Sequence, residues 1–541
     1  QNYKKKFTQS IQSVLSINPV SRKSEFQNLL KNLRETHTER SSMSEKVTET
    51  HLSRPQVEFK PRYQRFIIGS KKSFEVQYSH LYQKRLRQMR ENVKRSVRSK
   101  FGRFLYQIFL QANKNTSNTH TGTDITITNT IVRASLNRKT QILIGTLYKE
   151  MKGKPNILNE LEQAAKFTYD KDGNEVEKVV SDLYAGEDDT FMLEDESGRI
   201  DLISSNDSFK VHAFVTGTVI ALKGKVTQDG SFDVEATCGP TYERKSKKEG
   251  EEMDTDEDAY VLMVSGLNVG SSENIHLPQV LADYVTGHLG DVKEITSKIA
   301  RVLVVGNSIE KKETSEKETK TTTASRLRGV QPLEQLDLVL SQIVSSVPVD
   351  LIPGESDPTN FILPQQPFHP CLFPESSRYT SFRSTTNPYH SDINKVSFLG
   401  TCVRESQTSF HSHHTRSNTK TGTSGQNVHD IMRCTLRKSN VKTPCDALEM
   451  IVRYCHLAPT APDTLGCFPF MMRDPFVLTD CPDVMFSGDC EKFETRLIDS
   501  PQYENRKTRL VCVPNFRKTG VAALVNLKDF SCRPISFGFG S

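Results

Sequence analysis

Apolar residues recur along this chain with two different periods, and the change from one to the other divides it. Over residues 73–104, Leu86, Met89, Val93 and Val97 are spaced by three, four and four, which places them on one face of a helix. From Gln141 onward the period falls to two. The runs 141–148, 190–193, 198–203 and 213–226 are short and β-branched, and Gln228-Asp-Gly230 supplies a hairpin turn before a fifth run at 231–235.

Five short strands, with Gly145, Gly217 and Gly224 where a small barrel must bend sharply, fit a five-stranded OB-fold barrel better than a sandwich. Beyond them the apolar runs become continuous. Residues 260–264 and 301–305 are apolar, 349–352 forms a third strand, and helices are predicted at 278–289 and 333–347. Leu333, Leu336, Leu340, Ile343, Val344 and Val347 form one face of the second helix. This βαβαβ order predicts a parallel sheet covered on both faces.

Segments without periodicity set the boundaries. Residues 1–55 are rich in Ser, Thr, Lys and Glu and are expected to be disordered. Because Met43-Ser44-Glu45 reads as a native start, 1–42 are expected to be upstream sequence. The domain order expected is a helical segment at 56–104, a loop or insertion at 105–138, the barrel at 139–244, a charged linker at 245–258, and an α/β domain at 259–541. A flexible charged loop is expected at 310–325.

Charge changes the picture only locally. Lys plus Arg number 72 against 65 Asp plus Glu, so a net charge of +7 excludes a generally basic surface. The N-terminal helix is the exception, with Lys84, Arg85, Arg87, Arg90, Lys94, Arg95 and Arg98 near a single acid, Glu91. That is enough charge to meet a phosphate backbone, although a solvated helix face is the more common use of such a run. Eleven cysteines without a C-x-x-C pair read as reduced thiols and not as a zinc framework. No apolar run nears the roughly 20 residues that cross a bilayer, so no membrane partner is expected.

In open α/β sheets, ligands bind beyond the carboxyl ends of the strands. Those loops read Ser265-Gly-Leu-Asn268, Gly306-Asn-Ser-Ile-Glu310 and Gly354-Glu-Ser-Asp357. In order and spacing they resemble the calcineurin-like metallophosphoesterases, whose loops carry D-x-H, G-D-x-x-D and G-N-H-D/E around two metal ions. The resemblance places Gly266 and Asn268 at the first aspartate and histidine, Asn307 at the bridging aspartate, and Glu355 and Ser356 at Asn-His. Glu310 and Asp357 remain acidic. Asp489 and Glu491, in Gly488-Asp-Cys-Glu491, stand where the family has G-H-x-H. A two-metal site needs several carboxylate and imidazole ligands, so the resemblance implies a phosphoesterase α/β sandwich with no catalytic residue, no metal and no cofactor.

Longer strings narrow this further. Val349-Asp-Leu-Ile-Pro-Gly-Glu-Ser-Asp-Pro-Thr-Asn360, Leu363-Pro-Gln-Gln-Pro-Phe-His-Pro-Cys371, Ser424-Gly-Gln-Asn-Val-His-Asp430 and Ala458-Pro-Thr-Ala-Pro-Asp-Thr-Leu-Gly-Cys-Phe-Pro-Phe470 are similar to the second, non-catalytic subunits of DNA polymerase delta. Those of polymerases alpha and epsilon share the plan. The resemblance implies α/β plus β architecture: an OB barrel, then an inactive calcineurin-like domain, behind a helical N-terminal segment. It also implies two partners in the nucleus, the C-terminal metal-binding domain of the catalytic subunit and an accessory subunit that contacts the sliding clamp, with DNA reached through the complex in replication and repair synthesis. An active metallophosphoesterase or nuclease, and an independent single-strand-binding protein, are the alternatives.

Cys402 to Thr423 interrupts the family pattern and reads as a retained intron or a lineage-specific loop, so its His411, His413 and His414 are not taken as ligands. His369, His429 and His456 read as hydrogen-bonded loop histidines.

Overall fold

In the computed structural model, a three-residue strand β1 (Phe59–Pro61) leads to helix α1 (Ser79–Lys114). The residues described are 53–69, 77–114, 131, 139–154, 168–169, 175–176, 183–205, 214–242, 258–289, 293–310, 323–402, 426–436, 439, 441–499 and 507–538. The expectations for residues 1–42, the linker 245–257 and the three histidines near 411–414 therefore lie outside them. Leu81, Leu86, Met89, Val93 and Val97 line the buried face of α1, as their spacing requires. The helix is longer than its stripe suggested: it bends at Phe101 (φ −114°, ψ 16°) and continues through 105–114, the start of the expected loop. The run Phe104-Leu-Tyr-Gln-Ile-Phe-Leu110 has no helix breaker, so nothing local ends it there.

Five strands close a barrel: β2 (Gln141–Glu150), β3 (Thr190–Glu194), β4 (Arg199–Ile203), β5 (Val219–Val226) and β6 (Phe232–Cys238), in the order β2-β3-β4-β6-β5. Only β4 and β6 pair in parallel, through Leu202–Phe232. The run expected over 213–226 is strand only from Val219, because Gly217, at φ +79°, turns the chain first. Leu143, Leu147, Phe191, Leu193, Ile220, Leu222 and Phe232 fill the interior.

Two six-stranded sheets follow. The first contains β7 (Tyr260–Val264), β8 (Ile299–Val305), β9 (Val349–Ile352), β10 (Phe382–Ser384), β16 (Val521–Asn526) and β17 (Cys532–Ser536), in the order β10-β9-β8-β7-β16-β17. Parallel pairing of β7, β8, β9 and β10 agrees with the βαβαβ reading. The second orders β1, β11 (Tyr389–Ile393), β12 (Val396–Thr401), β13 (Val484–Cys490), β15 (Lys507–Pro514) and β14 (Glu494–Asp499). Helices α2 (Leu277–Val285) and α4 (Thr323–Val344) cover the first sheet, with the short α3 (Lys293–Ser297) between them. α2 is four residues shorter than expected at its C-terminal end. α4 begins ten residues before Leu333, in a charged, Thr-rich stretch whose composition hides its start, and Pro332 lies inside it.

Met263, Leu303, Val305, Phe398, Phe486 and Val511 pack between the two sheets. Beyond the second sheet, α5 (Gln426–Arg433) and α6 (Pro444–Arg453) join α1 and the outside of the barrel in one continuous core. A capping box between Thr443 and Asp446 starts α6. Cys402 is a correction to the expected insertion: it is fully buried, and its backbone exchanges hydrogen bonds with the Asn387 side chain. A Cβ on Gly306 would meet its sulfur at 2.0 Å, so Cys402 belongs to the domain and only the residues after it remain candidates for an insertion. Among the described residues no helix is long and apolar enough to cross a membrane.

Candidate functional site

The strand-end loops singled out in the sequence converge at the carboxyl edge shared by the two sheets. Gly266 (φ +66°), Gly306 (φ +60°), Asn268 (φ +40°), Asn307 (φ +50°) and Asp489 (φ +50°) all take left-handed backbone conformations, which asparagine, aspartate and glycine tolerate best. These conformations turn each loop sharply inward. Asn268 N donates to Asn307 O at 3.1 Å and Gly266 N to Gly306 O at 3.0 Å, which ties the first two loops together.

Asp489, at the end of β13, is the hub. Its Oδ2 accepts from Asn307 Nδ2 at 2.7 Å, its Oδ1 accepts from Asn515 Nδ2, and its own N–H donates to Ser265 Oγ at 2.7 Å. Asp489, Asn307 and Asn515 are all more than 90% buried. Asn307 Oδ1 in turn accepts from the backbone and hydroxyl of Ser356 at 3.2 and 3.3 Å. A Cβ at Gly266 would lie 2.5 Å from Asn515 Nδ2, so glycine is needed there for the amide to reach its carboxylate.

Asp357 closes the third loop in a similar way. Its Oδ1 accepts from Ser308 N at 2.9 Å and Ile309 N at 3.2 Å, and its Oδ2 from Gly354 N at 2.8 Å. Burial pushes this carboxyl up to about 7, against the backbone donors that favour its charged form. Glu355 is buried, Glu310 is half-buried and Glu491 is exposed. Ser265 and Asn515 were not singled out in the sequence. The visible signal for Asn515 was its position directly after an apolar strand.

The basic helix requires a correction. Arg85 is fully buried and is not a nucleic-acid contact: its Nε lies 2.8 Å from Asp474 Oδ2, and its other nitrogens donate to Gly217 O, Pro459 O and Ala461 O. Asp474 also bonds His456 Nε2 at 2.9 Å. Burial pushes His456 down to about 4, with help from Arg85. Burial alone would raise Asp474, but His456 and Arg85 hold its carboxyl far below the usual carboxylate range. Of the other residues in the run, Arg87 and Arg90 lie by Glu196, Lys94 bonds Glu91, and Arg87, Arg95 and Arg98 are exposed. Lys84 is half-buried.

Further buried links join the barrel to the second half of the chain. Lys149 Nζ pairs with Asp189 at 3.0 Å and donates to Cys434 O, and the Tyr242 hydroxyl donates to Val452 O at 2.6 Å. Elsewhere, among the described residues, Cys445, Glu494 and Cys512 form one cluster of potential metal ligands. The two thiols lie 3.4 Å apart as a buried hydrogen-bonded pair.

A closed five-stranded barrel is packed on a two-sheet α/β layer, and both halves match families of replicative polymerase subunits. Residues 77–237 match the family described as DNA polymerase delta subunit OB-fold domain, and residues 261–495 match the family of the B subunits of DNA polymerases alpha and epsilon. Whole-chain relatives separate the paralogues. The chain is 40% identical to a DNA polymerase delta small subunit of Arabidopsis thaliana, over 73% of this chain and 81% of that one. It is 36% identical to the rice protein of the same description, over 90% and 99%, and 33% identical to a Drosophila melanogaster DNA polymerase delta subunit 2, over 73% and 83%. It belongs to the DNA polymerase delta small subunit family and is an accessory subunit of a replicative polymerase complex.

Proposed function

We propose that this chain is a non-catalytic scaffold, bridging the C-terminal metal-binding domain of the polymerase catalytic subunit and an accessory subunit that contacts the sliding clamp. The observation that carries the reading is the Asn307–Asp489–Asn515 lock. Two amides occupy both oxygens of Asp489, which stands at one of the family's histidine positions, and Asp357 is similarly taken by backbone N–H groups. No imidazole lies among the degenerate positions Gly266, Asn268, Asn307, Glu310, Glu355, Ser356, Asp357, Asp489 and Glu491. These residues do not fit a two-metal centre, and no hydrolytic step is assigned to them.

The continuous core and the buried Arg85 node support a rigid platform, as a bridge requires. On this reading 139–244 is the barrel domain and 259–541 the inactive phosphoesterase-like domain, and the protein works in the nucleus in replication and repair synthesis. Lys84, Arg87, Arg90, Lys94, Arg95 and Arg98 contribute at most an auxiliary phosphate contact within the complex. Co-expression with the catalytic and clamp-binding subunits tests the bridge: a ternary complex is expected, and each binary pair should form through this chain. Manganese-dependent phosphodiester hydrolysis by the purified chain would overturn the scaffold reading.

A further inference from the structure

Two segments that are far apart in sequence meet around a cleft of about 290 Å³, lined by Gln64, Arg65, residues 67–69 and residues 468–473. Ile68 N donates to Gln366 Oε1, and Phe468 N to Leu363 O, so residues 363–366 adjoin both lining segments. The floor is rigid. Phe66 stacks on Phe476 at 6.2 Å, and Phe470 meets Phe468 and Phe476 edge-on.

The rim exposes apolar side chains to an unusual degree. Met472 is 86% exposed, Met471 57% and Ile67 46%. Grouped apolar exposure of this kind marks interaction surfaces, and methionine and aromatic residues are favoured in them. The charge is one-sided: the lining carries Arg65 and Arg473 and no carboxylate. Neither arginine has an ion pair among the described residues, and Arg65 Nε and Nη2 are buried without a hydrogen-bond partner. The nearest carboxylates are engaged elsewhere, Asp474 by Arg85 and Asp480 by Arg62 at 3.5 Å. Burial, then Arg473 and Arg62, pushes Arg65 down to about 10, a cost that an incoming carboxylate relieves.

We propose that this cleft docks an apolar segment bearing carboxylates, contributed by another protein of the polymerase complex. The proposal rests on the scaffold reading and gives it a surface. A phosphate backbone would satisfy the arginines but leave Ile67, Met471 and Met472 in water, so a peptide fits better than nucleic acid.

The test uses the full chain co-expressed with the catalytic and clamp-binding subunits. Met471 and Met472 are expected to oxidise several-fold more slowly in the complex than in the isolated chain. The pair of exposed substitutions Met472→Glu and Arg473→Glu should weaken retention of one partner by at least about tenfold, with the melting temperature unchanged. Unchanged retention and unchanged oxidation would overturn the docking site while leaving the scaffold standing. Failure of the unsubstituted chain to retain either partner would overturn both. The proposal also fails if the variants keep both partners but lose affinity for single-stranded DNA. It fails too if the methionines are protected in the isolated chain and released by deleting residues 1–52.

Discussion

Arg85 of α1 and Asp474 of the second half of the chain form an ion pair at 2.8 Å with no exposure of either side chain. The same guanidinium reaches the barrel through Gly217 O and the loop after α6 through Pro459 O and Ala461 O, so one side chain joins three parts of the fold. A buried guanidinium with this many acceptors cannot be removed without stranding a carboxylate and several carbonyls.

Arg85→Met is therefore expected to destabilise the chain by about 3–5 kcal/mol in chemical denaturation. The exposed Arg98→Met should change stability by less than about 0.5 kcal/mol. Equal effects would contradict the assignment of Arg85 as structural.

The turn that receives Arg85 makes a second prediction. Gly217 has φ +79°, and a Cβ there would sit 1.9 Å from Pro459 O. Gly217→Ala should cost at least about 2 kcal/mol and speed proteolysis between barrel and α/β layer. Gly230→Ala, also at positive φ but facing open space, should be milder.

Acid should loosen the same junction. His456 has a folded value of about 4, below its ordinary 6.5, so the unfolded chain binds the proton first as pH falls. Its contribution is complete above pH 6.5 and is lost on descent towards 4, an effect on the order of 3 kcal/mol. Asp474, also depressed, adds further loss below its ordinary value of 3.8. Denaturation midpoints across pH 7 to 4 should fall, and His456→Gln should flatten that slope.

Asp357 has the opposite sign. Its folded value, raised to about 7 from 3.8, means that its contribution is present below pH 3.8 and is lost as pH rises through 7. The slope between pH 5 and 7.5 in an Asp357→Asn variant, compared with the unsubstituted chain, isolates this contribution.

Asn307→Asp would place a second carboxylate against Asp489, where a 2.7 Å amide donor now stands. A loss of about 2–3 kcal/mol at pH 7.5 is expected, relieved on acidification, with no manganese-dependent hydrolysis gained. Activity restored by this single change would mean that the remaining ligands suffice.

Period and composition determined the α1 stripe, the barrel strands, the apolar parallel strands and the strand-end loops that carry Gly266, Asn307 and Asp357, whereas Asp489 was placed only by the family resemblance. The former rest on local chemistry: alternation, turn residues and spacing within a few positions. Only the tertiary structure decided that Arg85 is buried while Arg98, on the same helix, is exposed. A run of arginines looks alike in sequence, and the difference arises from Asp474, 389 residues away. The same holds for Asn515 and Ser265, which complete the Asp489 hub, and for Cys402, whose place beneath Gly306 appears only when the two sheets pack. Partners set by long-range packing leave no periodic trace, because side-chain pairing across a core depends on distance in space and not along the chain.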